Sequence, residues 1–290
     1  MLYYSNHMAL IITHPGSAHL DDFLSCCLVV NKSGNIRKIK RKEPDKAEIK
    51  DPAIWKLDVG ESHDPDLKCF DHHQDGMNEE CTLSLLLKNW GLWSIANEIH
   101  NWLNIVVIKD TLGPNEVTKQ LEISFKAMGV LDSFVERTVL NFFNEQNEIE
   151  KGSFLFSLME IVGQNFFALI DEYTTIMGEV KEKLKYKIIN GVQSIFFYED
   201  LNHSTTLIRI IKDKLKEKWP NLKGGIGVYP NKRVKETFAI KRFNDDKRVD
   251  FSRISHYEKV IYSHPKGFFI SVKQMTEDEL EQYIKGAIKN

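Results

Sequence analysis

The chain has 290 residues, of which 42% are hydrophobic and 28% charged, and its formal net charge is −2. These values are ordinary for a soluble globular protein and exclude a polycation, and the length allows one large domain or two modest ones. The sequence shows neither an apolar run of membrane-spanning length nor a secretory signal, so we expect no membrane partner. The four cysteines form no Cys-x-x-Cys pair, which favours a reducing, cytoplasmic location. They are Cys26, Cys27, Cys69 and Cys81.

The first part of the chain alternates short apolar runs with helical patterns. A buried strand is predicted at Met8–Thr13, followed by a loop and by a helix from Phe23 to Val30 that two acidic residues open. An exposed or edge strand is predicted over 35–42, and another strand at 55–60 ends in Asp58 and Gly60. Two helices broken at Gly91 are expected over 82–90 and 92–102.

The run Asn104–Asp110 is compatible with a strand or a buried helix, and its periodicity does not decide between them. Pro114 begins a helix that extends to about Met128, and helical patterning continues over 131–186. Strands are predicted beyond Ile188, with a helix over 204–219 and a last helix over 277–289. The predicted strands cover 194–198, 225–229, 237–242, 260–262 and 267–272.

This order predicts an α/β chain with two domains. Residues 1–185 form a parallel-sheet α/β domain with a helical connector, and residues 186–290 form a smaller α+β domain. Ligands in open parallel sheets gather outside the carboxyl ends of the strands. The candidate chemistry is therefore sought where the N-terminal strands end.

Imidazoles and carboxylates are concentrated at those predicted strand ends. Oxygen and imidazole donors without thiolates indicate a site for two divalent cations, with Asp58 as the shared carboxylate. The six candidate ligands are His14, His19, Asp21, Asp58, His72 and Asp110.

Each of these residues also has an ordinary explanation when it is taken alone. Asp21 is typical of a first helical turn, and Asp58 and Asp110 are typical of turns. Four separate segments in the right order favour the site over several coincidences. We interpret His63 and His100 as non-ligands and the cysteines as core residues.

Charge is spread unevenly along the chain. Residues 203–253 contain 14 Lys and Arg against 6 Asp and Glu, a local balance of +8, with five aromatic residues among them. One explanation is a surface for a phosphate backbone with stacking positions; the other is a set of solvated helix and loop faces. The sequence leaves both open.

Four motifs together resemble the Myg-type exonuclease family, which is related to the DHH phosphoesterases, including RecJ-type nucleases and family II pyrophosphatases. They are the stretches 13–22, 57–65, 70–74 and 109–113, and 260–270 resembles the closing motif of the family. Two sites depart from the family pattern. The usual Asp-Asn-Gly is Asp110-Thr-Leu-Gly113 here, and the segment before the closing motif is shortened to 248–254.

The resemblance implies a first domain that binds two divalent cations, commonly Mn²⁺, with Mg²⁺ as the other candidate. It implies that the six ligands above hold metal, that Asp71 orients its neighbours, and that His73 faces the scissile phosphate. It implies that a second domain holds a phosphate or terminal nucleotide. The candidate contacts there are His264, Gly267, Lys266, Arg248 and Arg253.

The sequence as a whole predicts a metal-dependent phosphoesterase, an exonuclease that hydrolyses RNA or short oligonucleotides with water activated by two metals. One alternative is a phosphatase or pyrophosphatase acting on a small nucleotide or pyrophosphate. Another is a non-catalytic binding protein that keeps its metals for structure. The polarity of digestion, the choice between RNA and DNA and the oligomeric state, a dimer included, stay open.

Overall fold

A computed structural model describes residues 9–199 and 204–289, apart from 75, 77, 78 and 132. Met8, the first residue of the first predicted strand, lies outside this range. The chain divides into two compact units, residues 1–170 and 171–290. The division falls within a long helix and before the domain boundary predicted near Lys185.

The N-terminal unit is built around a six-stranded sheet covered by helices. Its strands are β1 (Ala9–Thr13), β2 (Ile36–Arg41), β3 (Ile54–Leu57), β4 (His63–Asp64), β5 (Cys69–Phe70) and β6 (Glu148–Glu150). Its helices are α1 (Leu20–Ser33), α2 (Lys46–Lys50), α3 (Thr82–Asn89), α4 (Trp93–Ile99), α5 (Leu103–Thr111), α6 (Pro114–Gln120), α7 (Phe125–Leu131), α8 (Phe134–Asn144) and the first part of α9 (Phe154–Val180). A 3₁₀ turn covers Pro65–Leu67.

The sheet order is β4-β5-β3-β1-β2-β6, and its four central strands run parallel. The two outer strands, β4 and β6, pair antiparallel with their neighbours. Strand β1 lies between β2 and β3, and its Ile11 and Ile12 are fully buried, as expected of a central strand covered on both faces. Parallel pairing makes the carboxyl ends of β1, β3 and β5 meet at one edge of the sheet.

The mixed α/β architecture agrees with the sequence prediction, and several elements differ in detail. Strand β2 is an inner strand because β6, which was missed in the predicted helical stretch, pairs with it. Lys38 forms ion pairs with Glu148 and Glu150 across this pairing. The ambiguous run 104–110 is helical in α5. Helices α3 and α4 are separated at Gly91, whose φ of 68° ends the first helix.

Helix α9 corrects the expectation that no segment is of membrane-spanning length. Its 27 residues are long and apolar enough to cross a membrane by length and composition, and 33% of its most apolar window is buried. The core helix of a soluble protein satisfies the same criteria, so this observation is weak evidence. Gly163 on this helix packs tightly against α1, because an added Cβ would lie 2.3 Å from the carbonyl oxygen of Cys27.

The C-terminal unit is an α+β arrangement with a sheet ordered β11-β12-β10-β9-β8-β7. All neighbours are antiparallel except β8 and β9, which helix α10 connects. The elements are β7 (Lys185–Ile189), β8 (Val192–Phe196), α10 (Ser204–Lys218), β9 (Gly225–Pro230), β10 (Thr237–Phe243), a 3₁₀ turn (Phe251–Ile254), β11 (Val260–Ser263), β12 (Phe269–Lys273) and α11 (Glu277–Ala287). Strand β7 was not predicted.

The core of this unit lies between one face of the sheet and α11. Phe196, Val228 and Ile270 of the sheet and Leu280 and Ile284 of α11 belong to one buried cluster and are fully buried. Thr276 begins α11 by accepting a hydrogen bond from the backbone N–H of Glu279 at 3.3 Å, the usual role of a helix N-cap.

Candidate metal centre

Three of the candidate segments begin where three neighbouring parallel strands end. Thr13 of β1 pairs with Leu57 of β3, and Leu57 pairs with Phe70 of β5. The next residues along the chain are His14, Asp58 and Asp71, so the three segments leave the sheet side by side. The strand register thus produces the convergence that the motif order predicted.

Two further carboxylates come from helices rather than from strands. Asp21 lies in the first turn of α1 and is 1% exposed, and Asp110 lies in the last turn of α5. The run that ends in Asp110 is therefore a helix, one of the two possibilities that its periodicity left open. The helix nevertheless brings Asp110 to the same place, because its carboxylate lies 3.1 Å from His72 Nε2.

The side chains form two groups that could each hold a cation. In one group the ligand atoms of Asp58, His72 and His73 lie within 4.8 Å of one another, and in the other so do those of Asp21, His72 and Asp110. Among the described residues, His72 is the member that both groups share. The expected shared ligand was Asp58, which belongs to the first group only.

His72 lies between two carboxylates at the centre of this cluster. Its Nε2 is 3.2 Å from Asp58 Oδ1 and 3.1 Å from Asp110 Oδ2. Burial alone would lower the pKa of His72, but the hydrogen bonds to Asp110 and Asp58 outweigh burial and raise the pKa to about 10. The surroundings of this ring therefore stabilise a positive charge.

The surroundings shift the pKa values of two of these carboxyl groups in opposite directions. Burial, followed by repulsion from Asp110 and Asp58, raises the pKa of Asp21 well above its ordinary value. Burial also acts to raise the pKa of Asp110, but hydrogen bonds from His19 and His72 lower it strongly. Positive charge among these carboxylates, from the His72 and His19 rings or from a bound cation, stabilises the anionic groups held this close.

His73 is oriented by the predicted positioning residue. Asp71 is 1% exposed, and its Oδ1 lies 2.6 Å from His73 Nδ1 and accepts the backbone N–H of His73 at 3.2 Å. Its Oδ2 accepts the backbone N–H of Glu61 at 2.6 Å. If Nδ1 carries the hydrogen of a neutral ring, then Nε2 is an acceptor or a metal ligand. The side chain of His73 is 50% exposed and so accessible to a substrate.

The loop after β1 carries His14 and His19. His19 Nδ1 lies 3.3 Å from Asp110 Oδ1, while the His14 ring centroid lies 6.2 Å from that of His19 and 6.4 Å from that of His73. His14 Nδ1 accepts the backbone N–H of Gly16 at 3.1 Å, which leaves Nε2 for a ligand. The structure thus places His19 in direct contact with the carboxylate cluster and His14 beside it.

Arg41 at the end of β2 holds this loop and was not predicted from the sequence. Its side chain is 2% exposed and donates to the carbonyl oxygens of Gly16 at 2.6 Å and Asn144 at 3.1 Å. It lies 3.8 Å from Asp22, which accepts the backbone N–H of His19 at 2.8 Å. Burial raises the pKa of Asp22 to about 7 although the nearby Arg41 lowers it. The sequence did not indicate this role, because Arg41 is one of several basic residues in the alternating pattern of this strand.

Helix α3 also depends on the cluster. Asp21 Oδ1 accepts the backbone N–H of Leu83 at 2.8 Å, and its Oδ2 accepts that of Thr82 at 3.2 Å. The Thr82 hydroxyl donates to the carbonyl of Phe70 at 3.0 Å and lies 3.4 Å from Asp58 Oδ1. Asp21 thus lies in the first turn of α1, as its ordinary explanation requires, and also accepts hydrogen bonds from the first N–H groups of α3.

The residues fit a divalent cation. The carboxylates of Asp21, Asp58 and Asp110 are almost wholly buried. They lie next to the His72 ring, whose surroundings favour a positive charge. These hard oxygen and imidazole donors match Mn²⁺ or Mg²⁺ better than a thiolate-binding metal. The four cysteines are buried and free, and none belongs to either candidate group among the described residues.

The predicted substrate contacts of the second unit lie around one turn. His264 Nδ1 accepts the backbone N–H of Lys266 at 3.1 Å, and Gly267 has a φ of 63°. A side chain at position 267 would collide with Asp250, since an added Cβ would lie 2.0 Å from its Oδ1. His264 is half-buried and Lys266 is exposed.

The two predicted arginine contacts differ in their availability. Arg248 is engaged by Asp246 through its Nε at 2.9 Å and its Nη2 at 2.6 Å. Arg253 is exposed at the surface of the 3₁₀ turn. A phosphate would meet Arg253 directly and would compete with Asp246 for Arg248.

The aromatic residues of the basic stretch do not form a stacking surface. Tyr229, Phe238, Phe243 and Phe251 are buried in the core, and only Trp219 is partly exposed. Basic side chains of the same stretch do reach solvent, including Lys232, Arg233 and Lys235 in one loop. The burial of these four rings shows that the stacking interpretation was wrong for them. The exposed basic side chains still fit the interpretation as a basic surface.

Several solved structures are similar to this chain at low sequence identity, and three of them are described here. A DHH domain described as a member of a family of ribosomal proteins is 11% identical, with a TM-score of 0.35, 96% of this chain and 85% of that chain covered. RecJ from Thermus thermophilus in complex with Mn²⁺ is 11% identical, with a TM-score of 0.32, 97% of this chain covered and about half, 51%, of RecJ. A putative family II inorganic pyrophosphatase from Methanococcus jannaschii is 13% identical, with a TM-score of 0.25, 96% and 99% covered.

No curated protein sequence matches the chain. The family comparison gives a direct match at the level of sequence. Residues 10–89 match the model of MYG1_exonuc, described as uncharacterised protein family UPF0160. This segment runs from β1 to the end of α3 and contains every candidate site residue of the N-terminal unit except Asp110. The resemblance to the Myg-type family predicted from the motifs is therefore confirmed over these residues.

Proposed function

We propose that this protein is a divalent-metal-dependent phosphoesterase, an exonuclease that removes nucleotides from the end of RNA or short oligonucleotides. The observation that carries the proposal is His72, whose Nε2 lies about equally far from Asp58 and Asp110 within a cluster of buried carboxylates. A divalent cation would stabilise such a cluster, and the half-exposed His73 beside it is accessible to a substrate.

The metal ligands in this proposal are His14, His19, Asp21, Asp58, His72 and Asp110, for two cations, Mn²⁺ or Mg²⁺. When bound, the cations would polarise a phosphoryl oxygen and lower the pKa of a water. Asp71 holds the half-exposed His73 ring through Nδ1, which leaves Nε2 to accept or deliver a proton at the substrate. Arg41 fixes the loop that carries His14 and His19.

The choice of a polymer over a small phosphate rests on charge. The stretch 203–253 carries a balance of +8, and its exposed Lys232, Arg233 and Lys235 lie in one loop of the C-terminal unit. A nucleic acid backbone uses many such contacts, whereas pyrophosphate needs few. The match to a family model named for an exonuclease supports the same choice.

We also propose that the protein works in the cytoplasm. Its four cysteines, including the adjacent Cys26 and Cys27 of α1, are free and buried. Thiols persist in a reducing compartment, where disulfides are rare.

A substrate panel tests the proposal. Purified protein is incubated with Mn²⁺ or Mg²⁺ and with a labelled oligoribonucleotide, the matching oligodeoxyribonucleotide, a dinucleotide or pyrophosphate. We expect stepwise shortening of the oligoribonucleotide, loss of at least about 100-fold in activity for His72→Ala, and near wild-type activity for the exposed-histidine control His63→Ala.

If the protein hydrolyses pyrophosphate in preference to the other substrates, the proposed activity becomes that of a pyrophosphatase instead of an exonuclease. Metal binding without turnover of any member of the panel would support the non-catalytic alternative. Equal activity of the wild type and His72→Ala would refute the site.

A further inference from the structure

A large cavity adjoins the candidate metal centre within the N-terminal unit. Its volume is about 580 Å³, within the range of small-molecule sites. His19, Asp21 and Asp110 belong to its lining. The cavity is therefore continuous with the residues assigned to metal, and it lies within one unit of the chain.

The remaining walls are mainly apolar and come from four helices. Ile105 and Val106 belong to α5, Val117 to α6, Met128 to α7 and Leu140 to α8. Val106 and Val117 are 8% and 2% exposed, so the cavity reaches into the interior. These helices lie outside the family-matched segment 10–89.

A few polar groups accompany the apolar walls. The lining includes Lys109, Ser133 and Glu136, and Trp102 contributes a ring that is 38% exposed. Apolar walls with few polar groups are typical of sites that bind a flat heterocycle, whose faces are apolar and whose edges form hydrogen bonds.

The cavity has no cluster of basic groups for a second phosphate. Apart from His19, Asp21 and Asp110, which belong to the metal centre, its lining has one lysine, Lys109, and one carboxylate, Glu136. A second phosphate would lose its hydration there without gaining several cationic contacts. The occupant that suits both the walls and the neighbouring centre is a neutral group attached to the reacting phosphate.

We propose that this cavity binds the nucleobase of the terminal nucleotide, with its phosphate directed to His72 and Asp110. This inference rests on the proposed function and adds a specificity site to it. The chain would then recognise the end of its substrate inside the N-terminal unit, and base contacts would add to the phosphate contacts in determining the rate.

The binding test uses a fluorescent nucleoside, 2-aminopurine ribonucleoside, which carries no phosphate and needs no metal or turnover. Ile105→Trp narrows the cavity from α5 and Leu140→Phe narrows it from α8. Ile161→Trp is the matched control, since Ile161 is 62% exposed on α9 and does not line this cavity. We expect affinity to fall at least about tenfold in both cavity variants and to be unchanged in the control.

A turnover test compares two oligoribonucleotides that differ only in abasic residues at both ends. We expect the wild type to prefer the intact ends by about tenfold in kcat/KM and Ile105→Trp to lose that preference while it still cleaves the abasic substrate. Circular dichroism of each variant checks folding.

The outcomes separate the two proposals. Turnover without a preference for a terminal base, together with absent or unchanged nucleoside binding in the cavity variants, overturns the base site and leaves the phosphoesterase standing. Nucleoside binding that the cavity variants abolish, without any turnover, supports the base site and overturns the exonuclease. Faster cleavage of an alkyl phosphate than of a nucleotide overturns the base site in favour of an aliphatic occupant.

Discussion

The imidazole of His72 shows why single residues in this site are hard to interpret in isolation. The sequence motif around His72 does not indicate how far the ring lies from Asp58 or Asp110. In the structure, both carboxylates lie within 3.2 Å of its Nε2. Removing one member of such a buried charged group leaves the others uncompensated. The chemistry therefore belongs to the group, and each residue contributes according to its neighbours.

Gly16 gives a test of this dependence at the level of one atom. An added Cβ would lie 2.3 Å from His14 Cε1, closer than non-bonded carbon atoms approach. We expect Gly16→Ala to displace the His14 ring and to lower metal-supported activity about tenfold with little change in the thermal midpoint, because the loop is exposed. Activity assays and thermal denaturation measure the two effects.

Gly129→Ala is the control for Gly16→Ala. Nothing lies within 4 Å of a Cβ at that position, which is in helix α7. Wild-type activity in Gly16→Ala would show that the position of His14 does not matter to the reaction.

The types of the site residues could be predicted from the sequence, while their partners could not. His14, Asp58 and Asp71 follow apolar runs, and the ends of parallel strands meet, so their convergence was predictable. Arg41 gave no such signal, because its contacts with Gly16 and Asn144 depend on how the loop and α8 pack. Long-range packing is not encoded in local periodicity.

Among the helices and strands, α1 and α5 add Asp21 and Asp110 to the site residues that follow the ends of the strands. The run 104–110 is rich in β-branched residues that suit either a strand or a buried helix, and tertiary packing decided for the helix. The short strand β6 was missed because three residues cannot establish a periodicity of their own. Most of the longer helices and strands were predictable because their apolar runs are long enough to show a periodicity.

The link between β2, α1 and α8 through Arg41 is testable. Arg41→Met removes the partner of the buried Asp22 carboxylate and three hydrogen bonds to carbonyl oxygens, those of Gly16, Phe143 and Asn144. We expect it to lower the free energy of unfolding by about 3–5 kcal/mol, measured by urea denaturation. Arg37→Met, at an exposed position of the same strand, is the control and should change stability by less than about 0.5 kcal/mol.

A double variant identifies the cause. If the uncompensated charge dominates, Arg41→Met combined with Asp22→Asn should be more stable than Arg41→Met alone. A double variant as unstable as the sum of the two single variants would assign the loss to packing instead.

At the scale of the whole molecule, all six candidate ligands lie in the unit that ends at Ile170. A ligand that binds one folded unit stabilises that unit by mass action, and it leaves the other unaffected when the two units unfold independently. We expect calorimetry with Mn²⁺ at 100 times its dissociation constant to stabilise one of two transitions by about 2.7 kcal/mol. Excess chelator should reverse the shift.

The calorimetric assignment uses one variant in each unit. His72→Ala should abolish the metal-dependent shift, whereas Arg253→Ala should keep it, since Arg253 is exposed in the other unit. A shift of equal size in both transitions, or one that survives in His72→Ala, contradicts the placement of the metal.

Asp58 occupies a left-handed backbone conformation, with a φ of 60°, which glycine adopts with less strain. At this position the demands of folding and of chemistry point to different amino acids. We expect a laboratory selection for thermal stability alone to replace Asp58 with glycine and to yield a more stable but inactive protein. Engineering this chain for durability should therefore begin away from the carboxyl end of β3.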